Sequence, residues 1–188
     1  MHVSAWNIAN ALTILRILLV PLFFALLLTQ DGESTGWRLA AFVTFVVASL
    51  TDRVDGDLAR RRGIVTDFGK VADPIADKAL MGAALVGLSL LGELPWWVTL
   101  LVLVREVGVT LLRIVVIRHG VIAASRGGKL KTVLQSVAIA LYLLPLEGLL
   151  ATVAAGVMAL AVGVTVITGL DYVARAVRLR RGDGAVAG

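Results

Sequence analysis

Carboxylates at helical spacing mark residues 51–78, which read TDRVDGDLARRRGIVTDFGKVADPIADK. Asp52 and Asp55 are one helical turn apart, and so are Asp73 and Asp77 further along, so each pair shares one helix face. Four carboxylates that converge between two helices repel one another unless protons, basic side chains or cations intervene. Oxygen ligands of this kind suit hard divalent cations, so the spacing predicts a site for Mg²⁺ or Mn²⁺.

The composition indicates a membrane protein. The chain has 188 residues, of which 59% are hydrophobic and 16% charged, and its mean hydropathy is +0.92. Soluble domains usually have about 45–50% apolar and about 25% charged residues. The sequence has no cysteine, which excludes disulfides, thiolate nucleophiles and thiolate metal sites.

Six apolar segments are each near the roughly 20 residues that cross a bilayer core. They predict an all-α, polytopic bundle of six transmembrane helices, which would form one catalytic domain over residues 1–178. The basic residues 179–188 are expected to be a disordered cytoplasmic tail. The predicted spans are 8–29, 37–57, 69–92, 96–117, 132–146 and 149–173.

The charge distribution predicts the orientation. The net charge is +5 and the sequence pI is about 10.2. Because the basic residues lie beside apolar segments, they favour anionic lipid headgroups over nucleic acid as the partner. In the six-span arrangement the basic segments 60–62, 118–131 and 175–181 fall on one side. The positive-inside rule therefore predicts a multi-pass protein of the cytoplasmic membrane with both termini and the acidic cluster facing the cytoplasm.

The fourth predicted span is interrupted by charges. Glu106, Thr110 and Arg113 share one helical stripe, so Glu106 and Arg113 are interpreted as an ion pair, with Arg105 off that stripe and left free. Together with Lys129 and Lys131, these cations would suit an acceptor that carries its own phosphate. Either lysine alone is also explained by the positive-inside rule.

Two other interpretations of the carboxylates are open. Charges in a loop at the membrane surface would explain Asp57 but not the narrow stripes that the four aspartates share. A cation- or proton-coupled transporter would also need inward-facing carboxylates. A transporter would more often carry them in the middle of a span than clustered at one face.

The pattern Asp52-x2-Asp55-Gly56-x2-Ala59-Arg60-x8-Gly69-x3-Asp73-x3-Asp77 resembles the signature of the CDP-alcohol phosphotransferases. Its eight fixed residues would match by chance on the order of 10⁻¹⁰ times per starting position. The resemblance implies the fold of that membrane-enzyme family and a reaction in which a CDP-linked lipid, CDP-diacylglycerol, donates its phosphatidyl group to an alcohol and CMP leaves. It also implies a homodimer.

The resemblance implies residue roles as well. Asp52, Asp55, Asp73 and Asp77 would hold two metal ions, and Asp77 would also be the general base. The CDP-lipid would contact the first signature segment and the first helix, where Asn10, Thr13 and Arg16 are similar to a family pattern. Asn10 is equally well explained as a helix cap. The implied donor-binding residues are Asp55, Gly56, Ala59, Arg60, Gly69, Asn10 and Thr13.

Two further segments are similar to the phosphatidylglycerophosphate synthases of that family. They are Arg105-Glu106-x6-Arg113 and Ala124-Ser125-x2-Gly128-Lys129-x-Lys131-Thr132-x2-Gln135. This likeness implies glycerol 3-phosphate as the acceptor, and inositol phosphate or another alcohol is the alternative within the family. The implied acceptor-phosphate ligands are Arg105, Arg113, Lys129, Lys131 and Ser125.

Overall fold

The computed structural model describes residues 8–62, 67–116 and 126–184. Within these ranges there are six α-helices, and each overlaps one of the predicted apolar segments. A 3₁₀ turn at Thr29–Gly32 links the first two helices. The helices are α1 (Ile8–Leu28), α2 (Thr35–Arg62), α3 (Asp67–Leu90), α4 (Trp96–Val116), α5 (Arg126–Leu143) and α6 (Gly148–Gly184).

The helices form two compact units. The first comprises Met1–Leu94 with Ile139–Leu146, and the second comprises Pro95–Ala138 with Glu147–Gly188. In the first unit α1 packs against both α2 and α3, and in the second α4 packs against α6. α6 continues to Gly184, so residues 179–184 of the expected disordered tail are helical.

Buried residues recur at helical spacing on α1 and α2, and α3 is buried over a wider face. On α1 the fully buried Phe23 and Leu27 are four residues apart, and on α2 Ala41 and Phe45 have the same spacing. The rings of Phe23 and Phe45 are tilted, with centroids 5.7 Å apart. On α3 the corresponding buried residues are Leu80, Ala84 and Leu88.

Two glycines have separate roles in and after α3: one lies where α1 packs, and the other has a positive φ just after the helix. A Cβ on Gly87 would lie 2.6 Å from Leu27 Cδ2, so the close contact between α1 and α3 requires glycine there. Gly92 has φ +74° and ends α3, and the backbone N–H of Glu93 donates to the carbonyl of Leu88 at 3.0 Å. A tight turn therefore separates α3 from α4.

Apolar side chains cover the outer faces of α1 and α6. Leu18 is 62% exposed and Ile167 is 68% exposed, although leucine and isoleucine are among the most often buried residues of soluble proteins. Among the described residues, two segments are long and apolar enough to cross a membrane: Ala11–Gly32 and Gly148–Arg178. The apolar parts of α2 and α5 are shorter, so six crossings remain a prediction.

A buried ion pair joins three parts of the first unit. The Arg38 guanidinium at the start of α2 donates to both carboxylate oxygens of Glu93, and the bond from Nη2 is 2.8 Å long. Arg38 also donates to the carbonyls of Tyr142 at 2.6 Å and Leu143 at 3.3 Å, where α5 ends. Carbonyls at the end of a helix have no partner within the helix, so Arg38 satisfies two of them.

Replacing Arg38 should destabilise this unit. Arg38→Met leaves the Glu93 carboxylate and two helix-end carbonyls without their donor. We expect a loss of about 3 kcal/mol in the free energy of unfolding, the low end of the range for a broken buried pair. The low end applies because the Glu93 side chain is 31% exposed. Denaturant unfolding in detergent measures the change.

Glu33→Gln is the matched control, because Glu33 is an exposed carboxylate in the same unit. Its effect should stay within about 0.5 kcal/mol, as is usual for surface substitutions. Equal effects of the two variants would show that the Arg38 network does not stabilise the unit.

Candidate active site

The carboxylate pairs predicted to bind metal lie on α2 and α3. The helical backbone of α2 includes positions 52 and 55, and that of α3 includes 73 and 77, so each pair lies one turn apart. The side chains of Asp52, Asp55 and Asp73 lie outside the described part of the structure. The same holds for the surroundings of Gly56, Ala59, Arg60 and Gly69.

The acidic positions extend the buried stripes of their helices. On α2 the buried residues Ala41, Phe45 and Ala48 repeat at steps of three and four, and the next two steps are positions 52 and 55. On α3 the stripe of Leu80, Ala84 and Leu88 extends back to positions 77 and 73 in the same way. By backbone position both pairs are thus in register with the buried stripes, and Asp77, whose side chain is described, is half-buried.

The described side chains test part of this site. Asp77 is half-buried, and its neighbour Ala76 on α3 is buried, whereas Ile75 is 60% exposed. Among the described side chains, no three His, Cys, Asp or Glu residues form a metal-binding group. Because three of the four carboxylates are not among them, the metal site stays a prediction.

The first helix brings two polar side chains to the same interior. Thr13 and Arg16 are buried on the stripe that continues to Phe23 and Leu27. Asn10 is in the helical backbone of α1, and its side chain is outside the described residues. The predicted contact of Thr13 with a nucleotide is not tested by these positions.

A charged cluster lies in the second unit. Glu106 Oε1 accepts from Arg105 Nη1 at 2.9 Å and also from Lys131 Nζ. The side chains of Arg105, Glu106 and Lys131 are 14%, 22% and 6% exposed, so this cluster is largely removed from water. The described side chains of this cluster, two cations and one carboxylate, sum to a charge of +1, which suits an anionic ligand.

The sequence interpretation of Arg105 was wrong. We expected this side chain to be free, but it binds Glu106 and donates to Thr168 Oγ1 of α6 at 2.9 Å. The side chain of Arg113, the expected partner of Glu106, lies outside the described residues, so that pair is not tested. Lys129 is in the helical backbone of α5 without a described side chain, and Ser125 lies outside the described residues.

Thr168 is a site residue that the sequence interpretation missed. Its hydroxyl lies 2.7 Å from the Val164 carbonyl and donates to it, which leaves the oxygen lone pairs for Arg105. Next to it, a Cβ on Gly169 would lie 3.2 Å from Arg105 Cγ, so the glycine gives the arginine room. The signal in the sequence is a threonine followed by a glycine inside an otherwise apolar span.

A sequence model described as CDP-alcohol phosphatidyltransferase matches residues 6–167 of this chain. That range contains both acidic pairs and the cluster around Glu106, and it ends just before Thr168.

Curated relatives match along most of the chain. The probable phosphatidylglycerophosphate synthase of Mycobacterium tuberculosis is 58% identical over 172 residues, which cover 92% of this chain and 82% of the relative. The CDP-diacylglycerol–glycerol-3-phosphate 3-phosphatidyltransferase of Bacillus subtilis is 37% identical over 180 residues, covering 89% and 93%. A cardiolipin synthase (CMP-forming) of Streptomyces coelicolor is 35% identical over 117 residues, covering 61% and 53%.

Removing the shared carboxylate should destabilise the second unit. Glu106→Gln leaves Arg105 and Lys131 as buried cations without their carboxylate, and we expect a loss of about 3 kcal/mol in the free energy of unfolding. Adding Lys131→Met to this variant should recover part of the loss, because it removes one of the two cations. A double-mutant cycle by denaturant unfolding measures the coupling. Purely additive effects would contradict a direct Glu106–Lys131 pair.

Proposed function

Because the chain belongs to the CDP-alcohol phosphatidyltransferase family, we propose that it is a phosphatidylglycerophosphate synthase. It would transfer the phosphatidyl group of CDP-diacylglycerol to glycerol 3-phosphate and release CMP. The observation that carries this proposal is the match of nearly the whole chain to relatives whose names state that reaction.

In the proposed reaction the acceptor hydroxyl oxygen forms a bond to the phosphorus that carries diacylglycerol. The pyrophosphate bond on the other side of that phosphorus breaks, and its electron pair leaves with CMP. Asp77 takes the hydroxyl proton, for which a half-buried carboxylate beside the acidic cluster is suited.

The donor set fits divalent cations, because four carboxylates offer only the hard oxygen ligands that Mg²⁺ and Mn²⁺ prefer. Asp52, Asp55, Asp73 and Asp77 would hold the two ions. Bound there, divalent cations supply positive charge that offsets the charge of the pyrophosphate and of the departing CMP. The donor would also contact Gly56, Ala59, Arg60, Gly69, Asn10 and Thr13.

The acceptor proposal rests on the charge of the second unit. A phosphate monoester carries between one and two negative charges at neutral pH, and the buried cluster of Arg105, Glu106 and Lys131 has a net charge of +1. Serine or a plain polyol would not need that charge. Arg113, Lys129 and Ser125 would complete the phosphate ligands, and inositol phosphate is the alternative acceptor with the same charge.

A second candidate is cardiolipin formation with release of CMP. It is favoured by the 35% identity to the Streptomyces coelicolor relative, which covers only 61% of this chain. The longer and closer matches favour glycerol 3-phosphate.

The family is membrane-associated, and the exposed apolar faces of α1 and α6 suit a bilayer. We propose six crossings in the cytoplasmic membrane, with both termini and the carboxylates on the cytoplasmic side. Water-soluble glycerol 3-phosphate and CMP would then enter and leave there, while the acyl chains of the donor stay in the bilayer. The protein is also proposed to be a homodimer.

The first test is CMP release by the purified protein in detergent with CDP-diacylglycerol and Mg²⁺. Glycerol 3-phosphate, inositol phosphate, phosphatidylglycerol and serine are offered separately. We expect release with glycerol 3-phosphate alone and its loss when a chelator removes the metal. Release only with inositol phosphate or phosphatidylglycerol would overturn the acceptor, and no release with any acceptor would overturn the transferase proposal.

The second test concerns Asp77. Asp77→Asn keeps the shape of the side chain but removes the base, so turnover should fall by at least about 10²-fold. Binding of CDP-diacylglycerol, measured by equilibrium dialysis in detergent, should fall much less. Asp171→Asn is the control, because Asp171 forms an exposed i, i+4 pair with Arg175 on α6. If Asp77→Asn had the same turnover as this control, Asp77 would not be the general base.

A further inference from the structure

Arg16 is fully buried in α1, although its neighbours Leu15 and Ile17 are 44% and 41% exposed. Arginine is almost never fully buried unless it is paired, because removing its charge from water is costly. In a helix with an apolar outer face, such a side chain marks a function within the helix packing. The partners of Arg16 must therefore lie on the helices that pack against α1.

The contact between α1 and α2 shows which part of α2 is level with Arg16. Phe23 contacts Phe45, with ring centroids 5.7 Å apart. The two helices are joined by a short turn and run antiparallel, and each residue adds about 1.5 Å along a helix. Arg16 is seven residues before Phe23 on α1, and Asp52 is seven residues after Phe45 on α2. Because the helices are antiparallel, the two positions are at about the same level. Asp55 is one turn further on.

The contact between α1 and α3 gives an independent register. Leu27 packs on Gly87, and these two helices run in the same direction. Arg16 is eleven residues before Leu27 on α1, and residue 76 is eleven residues before Gly87 on α3. Because the helices are parallel, these two positions are at about the same level. Asp77 is the next residue and Asp73 is three residues away, or about 4.5 Å along the helix axis. Long side chains on a helix lean towards its start, which for Arg16 is the direction of Asp73.

Other carboxylates of the first unit with described side chains are poorly located for Arg16. Glu93 binds Arg38. Asp31 and Glu33 are exposed, and Asp31 follows Arg16 by fifteen residues, beyond the C-terminal end of α1. The two registers instead lead to the helix positions of Asp52 on α2 and of residues 76 and 77 on α3.

We infer that Arg16 is a positioning residue that serves as the internal counter-cation of Asp52, Asp55, Asp73 and Asp77. The inference rests on the proposed metal-binding role of these four residues. Without metal, four carboxylates repel one another, and one buried guanidinium offsets part of that repulsion and keeps α2 and α3 packed on α1. With metal bound, Arg16 and the metal ions are like charges around the same carboxylates, so each weakens the stabilisation that the other provides.

This competition has a measurable sign. Thermal unfolding in detergent is followed with chelator and with saturating Mg²⁺, for the parent protein and for Arg16→Gln. The rise in Tm that Mg²⁺ causes should be larger in Arg16→Gln than in the parent, by about 4 °C or more, because the variant has lost its internal cation. An equal or smaller rise in the variant would overturn the inference.

Arg38→Gln is the matched control. Arg38 is also a buried arginine of the first unit, but its carboxylate partner is Glu93 at the other end of the helices. Arg38→Gln should lower Tm equally with chelator and with Mg²⁺, so its metal-induced rise should equal that of the parent. A larger rise in this control as well would mean that any destabilised variant responds to Mg²⁺, which would also overturn the inference.

Two further variants keep the test decisive if Arg16→Gln folds poorly. Arg16→Lys retains the positive charge, so its metal-induced rise should stay within about 1 °C of the parent value. Adding Asp77→Asn to Arg16→Gln removes one repelling carboxylate and should raise Tm in chelator above that of Arg16→Gln. The counter-cation role would be contradicted if adding Asp77→Asn did not raise Tm in chelator. It would also be contradicted if the metal-induced rise in Tm of Arg16→Lys equalled that of Arg16→Gln.

The unfolding experiment separates this inference from the proposed function, because it needs neither substrate nor turnover. A protein that releases no CMP but shows the larger metal-induced rise in Arg16→Gln would contradict the transferase proposal alone. Normal CMP release with equal rises in all variants would contradict the role of Arg16 alone. If Arg16→Gln raised only the KM for CDP-diacylglycerol, with equal rises in Tm, Arg16 would be a donor ligand instead.

Discussion

A charge that is removed from water must be balanced nearby, and this constraint governs how the polar residues of these helices are arranged. Arg38 is balanced by Glu93, and the pair Arg105 and Lys131 shares the one carboxylate of Glu106. Among the described side chains, the first group is one cation with one carboxylate, and the second is two cations with one carboxylate. A stabilising pair needs no further ligand, whereas a buried cluster with residual charge is suited to binding one.

The same helix stripes serve both packing and chemistry. On α2 the stripe begins at Arg38, continues through alanines and Phe45, and reaches the positions of Asp52 and Asp55. The small side chains of Ala41 and Ala48 allow neighbouring helices to pack closely along this stripe. The acidic positions follow the same helical spacing, which is why a shared site for them is proposed.

Much of this fold could be predicted from the sequence, because apolar runs of about 20 residues leave few alternatives to membrane helices. The predicted fourth span, 96–117, differs from α4 by one residue. Apolarity marks the part of a helix that suits lipid, but it does not show where the helix begins and ends. The polar extensions of two helices were therefore missed: α5 begins at Arg126, and α6 continues to Gly184. The helical backbone at the four acidic positions was also predicted, and i, i+3 and i, i+4 positions share a face in any helix, whereas the site they would form stays a prediction.

The partners of Arg105 could not be predicted in this way. Stripe arguments compare residues of one helix, and by that reasoning Glu106 and Arg105 point in different directions. A long arginine side chain can nevertheless bend to an adjacent residue, and its other partner, Thr168, is 63 residues further along the chain. No periodicity in α4 contains that information. Side chains that join different helices are therefore the part of a membrane protein that sequence patterns predict least well, and in this chain they include Arg105, a residue of the proposed acceptor site.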